Sequence, residues 1–289
     1  MERRIILGSA HLVVGFPSLA LTLLTATTIW TSKDLFKWAS YKIMFQLNLC
    51  YLFHIVAHLC VGITVLLGVD CKENICHALG GILDIGWFGI LFLNFLLSLE
   101  RLNVFSVLAW IPGFLFCAVD LSPYLIYYFD FQNSQWDFAG PFTETYIQIS
   151  QVLTFTFIPL TFFIYVAIYI SLAKQKGQML NNGTSSQSRN NIERSVLIST
   201  TLMFSYPLLE EAVFFFLRQM DDLDFWINFC SHMMWMSTPL FCQIVQIVFN
   251  RSIRRNLSLT IKTLYGSRIT RVTAASLGSR SLGTMKSKN

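Results

Sequence analysis

Charge is what this sequence has least of. Only 13% of the 289 residues are Asp, Glu, Lys or Arg, about half of what a soluble domain of this size carries. That scarcity excludes an ordinary water-soluble domain, as does a composition that is 54% hydrophobic. The charge is also missing in blocks. Seven stretches, residues 5–30, 43–67, 77–99, 107–129, 146–172, 195–217 and 225–249, contain no Lys or Arg at all. Each is long enough to cross a hydrocarbon core of about 30 Å as a helix. Lipid offers the backbone no hydrogen-bond partners, so such segments fold as helices. The first begins almost at residue 1 and is too long for the apolar core of a signal peptide, and no small-residue cleavage site follows it. It is read as a span. The expected fold is an all-α membrane protein, a seven-transmembrane helix bundle embedded in a lipid bilayer.

All basic residues fall between or beyond the spans, and their placement orients the chain. With the N-terminus outside, 17 Lys and Arg lie on the cytoplasmic side and four (Arg3, Arg4, Lys72, Arg218) outside. Positive residues stay on the cytoplasmic side, so an outer N-terminus and an inner C-terminus are expected. The outer segments hold nine acids, from Glu2 to Asp224, which favours cationic over anionic ligands.

Most connections are short. Residues 173–194 are polar throughout and read as a mobile cytoplasmic loop. After the last span, Arg251, Arg254, Arg255 and Lys262 alternate with Ile253, Leu257, Ile261 and Leu264 at helical spacing. This predicts a short amphipathic helix over 251–264 lying on the inner leaflet. Residues 265–289 are Ser/Thr-rich, basic and free of acids, and are expected to be a disordered cytoplasmic tail.

Four charged residues lie within spans, and all are acidic: Asp84, Asp120, Glu210 and Glu211. Each costs about 2.5–3.5 kcal/mol at a helix centre on insertion scales, so each is a functional candidate. The alternative for each is a protonated carboxyl hydrogen-bonded to a neighbouring helix. Glu210 and Glu211 are adjacent, so only one of them is expected to face a central pocket. His54 and His58 share a face of the second span and, with His232 on the seventh, could form a metal site as in seven-helix membrane hydrolases. Two histidines at helical spacing with no Asp on that helix are a weak metal signal, and no metal and no cofactor are expected. Cys71 and Cys76 lie on the outer side, five apart. They either close a small local disulfide or stand as two free thiols.

The third span ends in Ser98-Leu99-Glu100-Arg101-Leu102, 25 residues after Cys76, and Pro159 and Pro207 sit inside the fifth and sixth spans. This pattern resembles the rhodopsin-like G-protein-coupled receptors. Tyr41-Lys42-Ile43-Met44, Trp136-Asp137-Phe138 and Asn250-Arg251-Ser252-Ile253-Arg254-Arg255 narrow the resemblance to nematode serpentine chemoreceptors, most closely class T. The resemblance implies a chemosensory receptor for small environmental chemicals, coupled to a heterotrimeric G protein, in the plasma membrane of sensory cilia. It further implies a ligand pocket reached by Asp84, an ionic latch of Glu100 and Arg101, and a hinge at Pro207 in a mobile sixth helix. Residues 130–145 contain no Cys to pair with Cys76, the second span lacks an acid, and Leu102–Ser106 is a very short connection. These are departures from the wider superfamily. The alternative reading is a seven-helix membrane enzyme or transporter without G-protein coupling. No span holds a Lys for a retinal Schiff base, and no nucleic-acid partner is expected.

Overall fold

A computed structural model describes residues 2–69, 73–98, 110–122, 124–130, 134–179, 187–217, 220 and 224–262. In chain order these form α1 (Glu2–Thr31), a one-turn α2 (Lys33–Phe36), α3 (Ala39–Leu67), α4 (Glu73–Ser98), α5 (Trp110–Asp120), strands β1 (Ile126–Asp130) and β2 (Gln135–Ala139), α6 (Thr143–Met179), α7 (Gln187–Leu217) and α8 (Phe225–Phe249). A last helix, α9, covers residues 251–262. Among the described residues, four helices are by length and composition suited to crossing a membrane: α1, α3, and the apolar parts of α4 (His77–Ser98) and α6 (Thr143–Ile168).

The helices pack as neighbours in the order α1, α3, α4, α6, α7, α8 and back to α1, with α5 against the outer flank of α4. Polarity is arranged inside out. Val13, Phe16, Leu67, Val152, Phe163 and Phe216 are exposed on the outside, whereas His11, Asn48, His54, His58, Gln243 and Gln246 are fully enclosed. An exterior of this kind suits hydrocarbon surroundings, where apolar surface is not penalised and interhelical polar groups hold the bundle. Small residues let the helices approach. A Cβ added at Gly62 of α3 would lie 2.6 Å from the Cβ of His11 and 3.3 Å from the carbonyl of Gly8, both on α1.

A proline inside a helix leaves a carbonyl without its donor, and in α7 a neighbour takes it up. Pro207 cannot donate to Met203, and the Met203 carbonyl accepts from Cys242 Sγ of α8 at 3.6 Å.

The two ends of the bundle differ. At the end that carries α9, neutral side chains join the helices. Gln243 Nε2 donates to Asn48 Oδ1 at 2.6 Å, Tyr41 Oη to Asn250 Oδ1 at 3.1 Å, and Ser32 Oγ to Asn256 Oδ1 at 3.1 Å. Ile253 and Leu257 of α9 are buried while Arg254 and Arg255 are exposed. At the opposite end lies the β1–β2 hairpin, with Tyr127 opposite Phe138 and Phe129 opposite Trp136.

Two expectations need correction. The fourth span, expected over 107–129, is helical over Trp110–Asp120 among the described residues, and its outermost residues, from Ile126 on, belong to strand β1. Pro123 disfavours helix in the residue before it, and the aromatic run Tyr127-Tyr128-Phe129 pairs with a second aromatic strand instead. Hydropathy scores an apolar strand as it scores an apolar helix, so the two were merged. Residues 173–194, expected as a loop, are helical up to Met179 and again from Gln187. Ala, Lys, Gln and Met favour helix intrinsically even outside lipid, so polarity there did not mean irregular backbone. Glu100, Arg101 and Cys71, the Leu102–Ser106 connection and the tail 265–289 lie outside the described residues, as does the side chain of Cys76.

Candidate functional site

A cavity of about 490 Å³ opens beneath the hairpin. Its walls come from α4 (Asp84, Trp87), both strands (Tyr127, Trp136, Phe138), α6 (Tyr146 to Phe155), α7 (Glu211, Phe214) and α8 (Asn228, His232, Trp235). The volume lies in the range of small-molecule sites, which are mostly apolar with a few oriented polar groups. The hairpin is shaped for this place. Its buried face presents Tyr127 and Phe129, and Tyr127 stacks on Phe138 with ring centres 4.3 Å apart and planes 6° apart. Strand alternation turns Tyr128 the other way, where it bonds Asp137 at 3.4 Å. Burial first, and then the charges of Asp137 and Asp130, push the Tyr128 phenol above its ordinary value. Gly140 ends β2 with φ of 119°, and a Cβ there would meet the Tyr124 carbonyl at 2.5 Å, so only glycine serves.

The four acids within the spans take different places. Asp84 lines the cavity and accepts a hydrogen bond from Tyr146 Oη of α6. Asp120 of α5 is fully buried beside Asp84, and neither of its oxygens meets another donor among the described residues. Glu211 lines the cavity. Its neighbour Glu210 is fully buried and accepts from Thr238 Oγ1 of α8 at 2.7 Å. The split follows from helix geometry, since adjacent residues project about 100° apart.

Beside the cavity stands a cluster of histidines that sequence reasoning found only in part. His11 of α1, His58 of α3 and His232 of α8 converge so that one ring nitrogen of each lies within 4.8 Å of the others. His11 Nε2 and His232 Nε2 are 3.1 Å apart, and His11 Nδ1 donates to the Leu7 carbonyl at 2.8 Å. Both nitrogens of His58 are buried without a hydrogen-bond partner among the described residues, a state that costs about 1–3 kcal/mol for each unpaired group. His54 lies one turn away on α3, its ring tilted against His58 with centres 4.7 Å apart, and Trp235 lies edge-on to both at 5.0 and 5.3 Å. Phe129 and Trp136 of the hairpin cover the cluster. His11 carries no sequence signal beyond being a polar residue in an apolar helix. Only the packing of α1 between α3 and α8 brings it to the other two.

Taken together, a multi-pass helical protein with a lipid-facing exterior and an aromatic cavity at one end is built as a membrane receptor or carrier would be. The serpentine type 7TM GPCR chemoreceptor family Srt matches residues 1–269. The match covers most of the chain, which therefore belongs to the Srt family of chemoreceptors. No curated protein matches it.

Proposed function

We propose that this protein is a seven-transmembrane chemosensory receptor of the plasma membrane that takes a small environmental chemical into the cavity beneath the hairpin. The cavity carries this reading: it has the size of a small-molecule site, aromatic walls, and two carboxyl groups, Asp84 and Glu211, at its surface. The seven spans are α1, α3, α4, α6, α7, α8 and the segment that contains α5, with the N-terminus outside and α9 on the inner leaflet, as the charge distribution favours. Asp84 and Glu211 select for ligands with a hydrogen-bond donor or a positive charge, while Glu210 and Asp120 brace the walls.

Signalling follows from population shift: a ligand that prefers one arrangement of the helices moves the balance toward it. Pro207 and the contact of Met203 with Cys242 place a weak point in α7 facing α8, the natural pivot for such a change. Arg101 and Glu100 form the latch at the inner mouth, where a heterotrimeric G protein docks. Membership in a receptor family sets the enzyme and transporter readings second.

Cells expressing the chain, exposed to a panel of volatile and soluble chemicals, are expected to give a G-protein-dependent signal. Arg101→Ala should abolish that signal while sparing ligand binding. Ligand-evoked signalling that survives Arg101→Ala refutes the latch. Absence of any G-protein-dependent response across cationic and neutral ligands, in cells displaying the protein at the surface, refutes the receptor reading.

A further inference from the structure

We infer that His11, His58 and His232 form a binding site for a zinc ion. Three imidazoles from three helices converge in a buried position, and among the described residues no thiolate or carboxylate joins them. That donor set suits Zn²⁺, which accepts three neutral nitrogens and keeps a fourth position for water or another donor. Tetrahedral bonds of about 2.0–2.1 Å put ligand nitrogens about 3.3 Å apart, and the His11–His232 nitrogens are already 3.1 Å apart. The other edges are no longer than 4.8 Å, so a ring shift on the order of 1.5 Å completes the geometry. The second layer is in place as well. The bond from His11 Nδ1 to the Leu7 carbonyl fixes the proton on that nitrogen and leaves Nε2 free to ligate. His58 supplies the independent observation. It is enclosed on all sides, with two nitrogens that have no hydrogen-bond partner among the described residues, and a metal bond uses one of them.

The site ties α1, α3 and α8 together at the hairpin end. His232 also lines the cavity, so the ion adjoins the ligand space. The inference concerns metal binding alone and does not rest on the receptor reading.

The test uses the full chain, purified in detergent without a polyhistidine tag and stripped with a chelator. Zinc added back and dialysed should be retained at one ion per chain, and Co²⁺ in its place should show the intense visible bands of a tetrahedral nitrogen site. His58→Gln and His11→Gln should each weaken retention by about 100-fold or more, because each removes a direct ligand. His54→Gln should retain the ion. Substoichiometric zinc in the unsubstituted chain, an octahedral Co²⁺ spectrum, or equal retention in all variants would each overturn the site. Should a histidine variant fail to fold, the Co²⁺ spectrum of the unsubstituted chain decides alone.

Discussion

The two ends of the bundle use different chemistry for the same task of joining helices within lipid. At the α9 end the partners are amides and hydroxyls: Gln243 with Asn48, Tyr41 with Asn250, Ser32 with Asn256. None of these changes charge at ordinary pH or seeks a metal. At the hairpin end the buried polar groups include imidazoles and carboxyls, His11, His58, His232, Asp84 and Asp120, and the half-buried Glu211 lines the cavity beside them. These groups bind protons, ions and ligands. Unpaired buried atoms occur at both ends among the described residues: Gln243 Oε1 and Asn250 Nδ2 at one, both nitrogens of His58 and both oxygens of Asp120 at the other. The ends therefore differ in kind of group rather than in satisfaction. An amide pair bonded across two helices fixes one arrangement, whereas an imidazole or a carboxyl can also take up a proton or an ion.

The strongest way to break this contrast is to separate the helices that assemble the hairpin end. Gly62→Leu places a side chain where a Cβ is already within 2.6 Å of His11. Overpacking at such a contact is expected to cost about 3 kcal/mol, read as a lowered melting temperature in detergent and reduced surface display. Next in size, Asp84→Asn should leave surface display intact and raise the half-maximal ligand concentration about tenfold, equivalent to about 1.4 kcal/mol. An unchanged dose–response curve would remove Asp84 from the site. At the α9 end, Asn48→Leu strands Gln243 Nε2 and should lower stability by about 1 kcal/mol, within the range of interhelical bonds in lipid, with no change in ligand preference. A change in preference there would erase the division between the two ends.

The smallest effect is expected on the hairpin's outer face. The Tyr128 phenol is raised in the folded state, so the fold favours its neutral form. That contribution is fully present below the unfolded value of about 10 and is lost as pH rises through the folded value. Tyr128→Phe should flatten any loss of hairpin order above about pH 10, followed by the near-ultraviolet circular dichroism of the chain.

Much of this was legible in the sequence because lipid imposes simple rules. The stretch read as 225–249 is helical over the same residues, Phe225–Phe249, since a long apolar run without charges or internal turn signals favours a helix. The acids were found for the same reason: a carboxyl in such a run stands out. The β1–β2 hairpin was not legible. Its strand is as apolar as a helix, and the pairing of Tyr127 with Phe138 depends on residues eleven positions away. The histidine cluster was half legible. The sequence groups His54 and His58 with His232, but the cluster holds His11 in place of His54; His11 and His232 are 221 residues apart, and only the closure of α8 onto α1 unites them.

The alternation along the hairpin has a further consequence for how relatives of this protein could diversify. Tyr127, Trp136 and Phe138 reach the cavity from a two-stranded ladder and pack at the same time on Ala57 of α3, Leu83 of α4 and Trp235 of α8. Exchanging them would reshape the chamber's roof and the seams beneath it together. A lineage that varies these aromatic positions is therefore held to replacements that still fill the same contacts, which narrows the chambers it can try.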